Sequence, residues 1–414
     1  MSIKKISVKN FKSFKNLELE LGNMNLIIGA NAAGKSNFVQ IFKFLHDIAK
    51  DGLENAISAQ GGAEYLRNIT SAESNEFVLR IESDEDSSSL FNASGDYFTE
   101  VFINKTIYEL SISFNKNSDF VIKNELLNHT VEYEQVYLEN NSVKPLKSLG
   151  SGNIKILRTY NDISIDINKP DEVNIKKNDI LLSYLNRNAL DSHELLIQNS
   201  YLSLSFIKNV FQRISIYDFD PKLPKKATPI TGKAELEEDG SNLSIILKHL
   251  TENNAKRRKL YNLVNDLLPF ISDLSVEKSA DKLIFKLQET YSDQSIPVSL
   301  VSDGTINITA LIVALYFENK PLAIIEEPER NIHPHLIAKV AEMMKDASKQ
   351  KQIIATTHNT EMVRHADLDS LLLVSRDADG FSQITRPADQ QQVKTFLKNE
   401  IGVEELYIQN LLGG

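Results

Sequence analysis

The apolar positions of this chain fall into three kinds of run. Leu26, Ile27 and Ile28 form an unbroken apolar stretch, as do Leu322–Ile325, and each reads as a buried strand; QIIATT from 352 reads as a further strand. From Ser36 the segment SNFVQIFKFLHDIAK carries apolar residues at helical spacing, and INITALIVALYF (306–317) reads as a short buried helix. Between EFVLRIES (76–83) and VEYEQVYLENN (131–141) apolar and polar residues alternate, which predicts antiparallel strands with one covered face. Turn residues cluster at 140–153 and predict an internal boundary. From about 180 to 270 helical periodicity returns, with IKNVF and IILKHL as its apolar stretches. No heptad pattern lasts three or four repeats, so the expectation is a compact helical insertion without a long coiled coil.

Size and composition narrow the class. A chain of 414 residues exceeds the roughly 250–300 at which one core stops growing, so two lobes are expected. With 42% apolar and 25% charged residues the chain is globular in composition. No apolar run approaches the ~18 residues of a membrane span, and MSIKKISVKNF has no apolar stretch after its lysines. The expectation is a soluble cytoplasmic protein with no membrane partner. Zero cysteines exclude disulfides, zinc–thiolate sites, iron–sulfur clusters and cysteine nucleophiles. A net charge of −10 argues against a general nucleic-acid coat and leaves room for a local basic patch.

The strand at 26–28 runs into GANAAGKSNF, where Gly29, Gly34, Lys35 and Ser36 fit G-x-x-x-x-G-K-[ST]. Glycines let backbone N–H groups curl around a phosphate, and the helix that follows offers unpaired donors at its N-terminus. Asn31, Ala32, Ala33, Gly34 and Asn37 belong to that cradle. Lys35 places a point charge at the β/γ-phosphates, and Ser36 is a ligand for Mg²⁺. Glu326 and Glu327 end the strand 322–325, where open α/β sheets place ligands. There one carboxylate can hold Mg²⁺ while its neighbour polarises water. Two further segments complete the order: Ser302, Asp303 and Gly304 at the start of the 306–317 helix, and His358 at the end of QIIATT.

This combination resembles the ABC-type ATPase heads of the SMC, RecF and OLD families, in particular small bacterial ATPases with the same SDGT and EEPE/HP wording. The resemblance covers the first ~70 residues and everything from about Val298, with YDFDP (217–221) and DGSNL (239–243) between. It implies an α/β fold with an antiparallel β subdomain and a compact helical insertion. The head would be split into halves at 1–150 and 296–414 around an insertion at 151–295. It also implies that Lys12 and Ser13, after Phe11, lie near the nucleotide, and that Gln60 in SAQGG senses Mg²⁺ and the γ-phosphate. On the same basis Ser302, Asp303 and Gly304 contact ATP on the other protomer of a homodimer or larger homo-oligomer. Glu326 is the metal carboxylate, Glu327 the general base and His358 the switch histidine. Arg330 and Asn331 occupy the D-loop position, facing the partner site. Glu326 departs from the Asp common at its position, which suggests slow hydrolysis.

Other features read as structural. His333 and His335 flank Pro334 at a helix start, and RDADG (376–380) reads as a turn between two strands. The 56 residues after His358 are too few for a complete Toprim nuclease. The basic runs KRRK (256–259) and PKLPKK (221–226) read first as solvated surface and second as DNA contacts. Three functional readings follow. The first is a regulatory Mg·ATPase controlling a separately encoded effector, a Toprim or HNH nuclease or toxin, in anti-phage defence. The second is a RecF-like DNA-repair ATPase, and the third an ATP-binding scaffold with negligible turnover.

Overall fold

In the computed structural model the chain opens with β1 (Ser2–Phe11), β2 (Phe14–Glu20) and β3 (Met24–Ile28), followed by helix α1 (Lys35–Asp51). The structure describes residues 2–68, 76–92, 97–114, 120–140, 142–180, 193–198, 206–279, 281–398, 402–409 and 411–412. The chain divides into two compact units, each assembled from distant stretches: 1–22, 36–214 and 376–384 in the first, and 23–35, 215–375 and 385–414 in the second.

The first unit carries an antiparallel sheet. After α1 come the short helices α2 (Leu53–Ala59) and α3 (Ala63–Leu66), then long strands β4 (Glu76–Asn92), β5 (Tyr97–Phe114), β6 (Phe120–Glu139), β7 (Ser142–Thr159) and β8 (Asp162–Asn168). Their order is β2-β1-β4-β5-β6-β7-β8. The alternation expected for 76–141 is observed as alternating burial in β4 to β6, because successive side chains of a strand point to opposite faces. Helix α1 has a buried face of Phe38, Ile41, Phe42, Phe44, Leu45 and Ile48. The Phe44 ring meets Phe11 of β1 and Phe77 of β4 with ring centroids 6.3 and 5.7 Å apart.

Glu125 and His129 are among the polar residues wholly inside this unit. Glu125 of β6 accepts from the Leu196 and Ile197 N–H groups and the Tyr108 hydroxyl, and burial raises its pKa to about 7. His129, four residues on, shares a 2.8 Å hydrogen bond with the Thr106 hydroxyl, and burial lowers its pKa to about 4.

The second unit holds a sheet ordered β16-β3-β15-β14-β9, with β9 (Ile214–Tyr217), β14 (Leu322–Glu326), β15 (Gln352–Thr357) and β16 (Leu371–Arg376). The β14–β15, β15–β3 and β3–β16 pairs are parallel. Its centre is buried on both faces, with apolar runs at 26–28 and 322–325 and all six residues of 352–357 buried, the threonines included. A smaller antiparallel sheet of β10 (Thr228–Pro229), β11 (Ile271–Ser279), β12 (Lys282–Glu289) and β13 (Ser295–Pro297) accompanies helices Leu243–Thr251 and Asn254–Leu267. The helix Asp303–Tyr316 is buried from Thr305 to Leu315.

The middle of the chain differs from the sequence expectation. The turn-rich residues 142–153 lie inside β7, whose ladder to β6 continues through Gly150 and Gly152. Ladder bonds use backbone groups, so a strand here tolerates glycine and serine. A boundary at 150/151 would fall within that strand. The stretch 151–295 includes two helices of 9 and 14 residues, but also β8 to β12. Part of its expected helical region, 181–192 and 199–205, lies outside the described residues. Among the described helices the longest is α1 at 17 residues, and none is long and apolar enough to cross a membrane.

Candidate nucleotide site

The loop after β3 has the shape an anion cradle needs. Gly29 has φ +152°, and a Cβ there would lie 2.3 Å from the Val374 carbonyl oxygen of β16. Gly34 has φ +123° and Ala32 φ +61°, positive φ values of the kind from which an anion-binding nest of backbone N–H groups is built. Lys35 opens α1, and its ammonium donates to the Gly29 and Ala30 carbonyls at 2.8 and 3.0 Å. Burial lowers the Lys35 pKa, while the Glu327 and Glu329 carboxylates act against that shift. These residues fit a phosphate: a preshaped loop, a lysine within the field of two carboxylates, and a helix start.

Strands β14 and β15 bring the acidic and histidine motifs together. Their parallel register sets Glu326 opposite Thr356, so the residues just beyond, Glu327 and His358, emerge side by side. His358 Nδ1 lies 3.0 Å from Glu327 Oε1. Glu327 has φ +46°, a conformation that strains a residue with a side chain, and its N–H donates to the Thr356 carbonyl at 2.9 Å. Arg330 donates from Nε and Nη2 to Glu327 Oε2, each at 3.2 Å, and from Nη1 to Asp218 Oδ1 at 2.6 Å. Glu329 is buried, which raises its pKa, and it accepts from the Thr357 hydroxyl.

Ser302 caps the helix Asp303–Tyr316 by accepting from Thr305 N–H. Asp303 is ion-paired with Lys225 of the PKLPKK segment. Gly304 packs so closely that a Cβ would lie 2.5 Å from the Asn331 carbonyl oxygen. His333 is the N-cap of Pro334–Ala347, with Pro334 in its first turn, as its position beside a proline predicted.

In the first unit, Lys12, Ser13, Asn37 and Gln60 line one cavity of 580 Å³, together with Tyr65, Asn68 and Arg376. Asn37 donates to the Ser13 hydroxyl at 2.8 Å. Gln60, the C-cap of α2, is 6% exposed, and its buried Oε1 has no hydrogen-bond partner among the described residues. An unmet amide oxygen suits a cation or donor supplied from outside the chain.

Residues 24–364 match the family model described as "AAA domain, putative AbiEii toxin, Type IV TA system". The chain belongs to that family. The match is to an AAA domain, in keeping with the ATPase-head type expected from the motifs. A curated relative, "Endonuclease GajA" of Bacillus cereus (strain VD045), is 20% identical over 387 residues, which is 90% of this chain and 58% of the relative. The chain thus spans less than two thirds of that relative's length. Among solved structures, an SMC head bound to the C-terminal winged-helix domain of ScpA aligns with 93% of this chain and 97% of its own, at 16% identity and TM-score 0.48. An SMC head domain from Thermotoga maritima aligns with 93% and 99%, at 14% identity and TM-score 0.44.

Sequence reading missed some polar partners of this site. Asp218 sits in the quoted YDFDP and Glu329 in EEPE, yet spacing alone does not show that one reaches Arg330 and the other Thr357. No group of three or more His, Asp or Glu side chains converges as a metal site among the described residues. The expected Mg²⁺ set of Ser36, Gln60 and Glu326 contains a single carboxylate. An all-oxygen set with so little protein charge suits a Mg²⁺ whose remaining ligands are phosphates and water. In the KRRK run, Arg257 pairs with Asp273 and Lys259 lies over the Tyr316 and Phe317 rings.

Proposed function

We propose that this chain binds Mg·ATP and hydrolyses it slowly at a composite site between two copies, using the nucleotide state to control a separately encoded effector in bacterial anti-phage defence. The observation that carries the reading is the joint presentation of Glu327 and His358, 3.0 Å apart, in a cluster whose carboxylate field reaches Lys35.

Bound Mg·ATP would supply the electrophilic γ-phosphoryl group and a cation to neutralise its charge. The roles of the chain follow from its side chains. Lys35, now spent on two carbonyls of its own loop, turns to the phosphates. Ser36, Glu326 and Gln60 would hold the cation. Glu327 takes the proton of an attacking water, and His358 orients toward the transferred group. Lys12, Ser13, Asn31 to Gly34 and Asn37 surround the nucleotide. Ser302, Asp303 and Gly304 serve the site of the opposite copy, which makes closure of the dimer depend on nucleotide.

Support for an effector comes from the family description, which names a toxin and a toxin–antitoxin system, and from the relative named as an endonuclease. A head of this kind working with a nuclease or toxin encoded elsewhere agrees with both. The test is phosphate release from ATP by the purified protein, with and without duplex DNA, with Lys35→Ala as blank. Slow Lys35-dependent turnover indifferent to DNA is the expected result. Strong stimulation by DNA would replace this reading with a DNA-repair machine, and no turnover above the blank would leave a nucleotide-binding scaffold.

A further inference from the structure

We propose that Arg330 is the positioning residue for the Glu327 carboxylate, anchored on Asp218 and joined through its own backbone to the helix that begins at Asp303. The inference rests on the reading of Glu327 as general base. The D-loop resemblance places Arg330 toward a partner copy, but in this structure its guanidinium faces its own Glu327.

The guanidinium uses separate edges for separate partners. Nε and Nη2 both donate to Glu327 Oε2, while Nη1 donates to Asp218 Oδ1 and to the Phe219 carbonyl. A planar fork can serve two carboxylates in this way, whereas a lysine ammonium is a single point charge. Glu327 Oε1 meanwhile faces His358. Both oxygens of the carboxylate are therefore directed, one from each side.

The backbone at this point is strained. Glu327 has φ +46° and Asn331 φ +61°, and such conformations persist where the surroundings over-determine them. Arg330 N–H closes the turn onto the Glu327 carbonyl at 2.9 Å. Asn307, buried in the helix Asp303–Tyr316, donates to the Arg330 carbonyl at 2.6 Å. Gly304, in the first turn of that helix, sits directly on the Asn331 carbonyl. A movement of the Ser302–Gly304 end would thus be carried to the residue that aims Glu327. Asp218 fixes the far end of Arg330, so the side chain cannot swing away without breaking a charge-assisted hydrogen bond.

The test is steady-state ATP turnover by the full chain, with nucleotide affinity and melting temperature measured beside it. Arg330→Gln should lower kcat about ten- to a hundredfold, with KM, ATP affinity and melting temperature close to wild type. Asp218→Asn should lower kcat less, and Arg330→Lys should recover part of the loss. Because Arg330 acts through Glu327, the double variant Glu327→Gln/Arg330→Gln should be no slower than Glu327→Gln alone. Wild-type kcat in Arg330→Gln, beside an inactive Glu327→Gln, would overturn the positioning role and leave the general base intact. A loss in Arg330→Gln that is additive with Glu327→Gln, with lowered affinity and melting temperature, would also overturn it, since that marks a structural residue. Wild-type turnover by Glu327→Gln itself would sink the general-base reading on which the inference stands.

Discussion

Glu327 and His358 face each other across the ends of two adjacent parallel strands, with Nδ1 of the histidine 3.0 Å from Oε1 of the glutamate. The ladder fixes this spacing, since Glu326 of β14 is paired with Thr356 of β15. If the pair performs hydrolysis, Glu327→Gln should bind ATP as well as wild type yet turn over about a hundred- to ten-thousandfold more slowly. Binding by fluorescence titration and phosphate release on one preparation separate the two effects. Equal turnover in variant and wild type would move the general base to another residue.

If Lys35 holds the triphosphate as proposed, it is the gate to binding. In wild type, Mg·ATP at a hundred times its Kd should raise folding stability by about 3 kcal/mol. Lys35→Ala should show almost none of this gain, because the variant loses its point charge at the cradle. Chelating Mg²⁺ should reduce the wild-type gain as well. Thermal unfolding with and without nucleotide reads all three cases.

Gly304 lacks room for a side chain. A methyl group there meets the Asn331 carbonyl at 2.5 Å, so Gly304→Ala must push the helix start away from the turn at 330–331. Overpacking of this kind costs about 1–3 kcal/mol, seen as a lower denaturant midpoint. Turnover should drop too, since the displaced turn carries Arg330. An unchanged midpoint would mean that the helix end moves freely.

The buried Glu125 and His129 make opposite contributions to the pH dependence of folding. Glu125 has a folded pKa of about 7, above its unfolded value. Between pH ~4.5 and 7 the native state binds more protons there, so its contribution falls as pH rises. His129 has a folded pKa of about 4, below its unfolded value. Between pH ~6.5 and 4 the unfolded state binds more protons there, and stability is lost as pH falls. Each contribution is about 3 kcal/mol at most, so they largely offset one another from pH 4.5 to 6.5. Glu125→Gln should leave stability rising with pH across this window, and His129→Gln should leave it falling. Urea denaturation at four or five pH values would expose parallel curves as the failure of this account.

The motifs on which the nucleotide proposal rests are legible because each is local. A glycine-rich turn between a buried strand and a helix is specified by neighbours in sequence, and so is a carboxylate pair at the end of an apolar run. The structure places β3, α1, β14, β15 and the helix Asp303–Tyr316 where those patterns predicted. Alternation likewise announced the strands of residues 76–139. What the pattern misjudged was β7, whose glycines, serines and lysines imitate a loop. Backbone pairing with β6 holds that strand, and most of its first ten side chains are exposed.

Tertiary structure alone decided which polar groups meet. Asp218 and Arg330 lie 112 residues apart in the chain, and no periodicity records their approach. The inward turn of Arg330, the close seat of Gly304 on Asn331 and the buried lodging of Glu125 depend on packing between distant segments. Sequence determined the elements and the chemical inventory, because hydrophobic period and turn chemistry act over a few residues. The aim of each functional side chain belongs to long-range contacts, which exist only once the strands are in register.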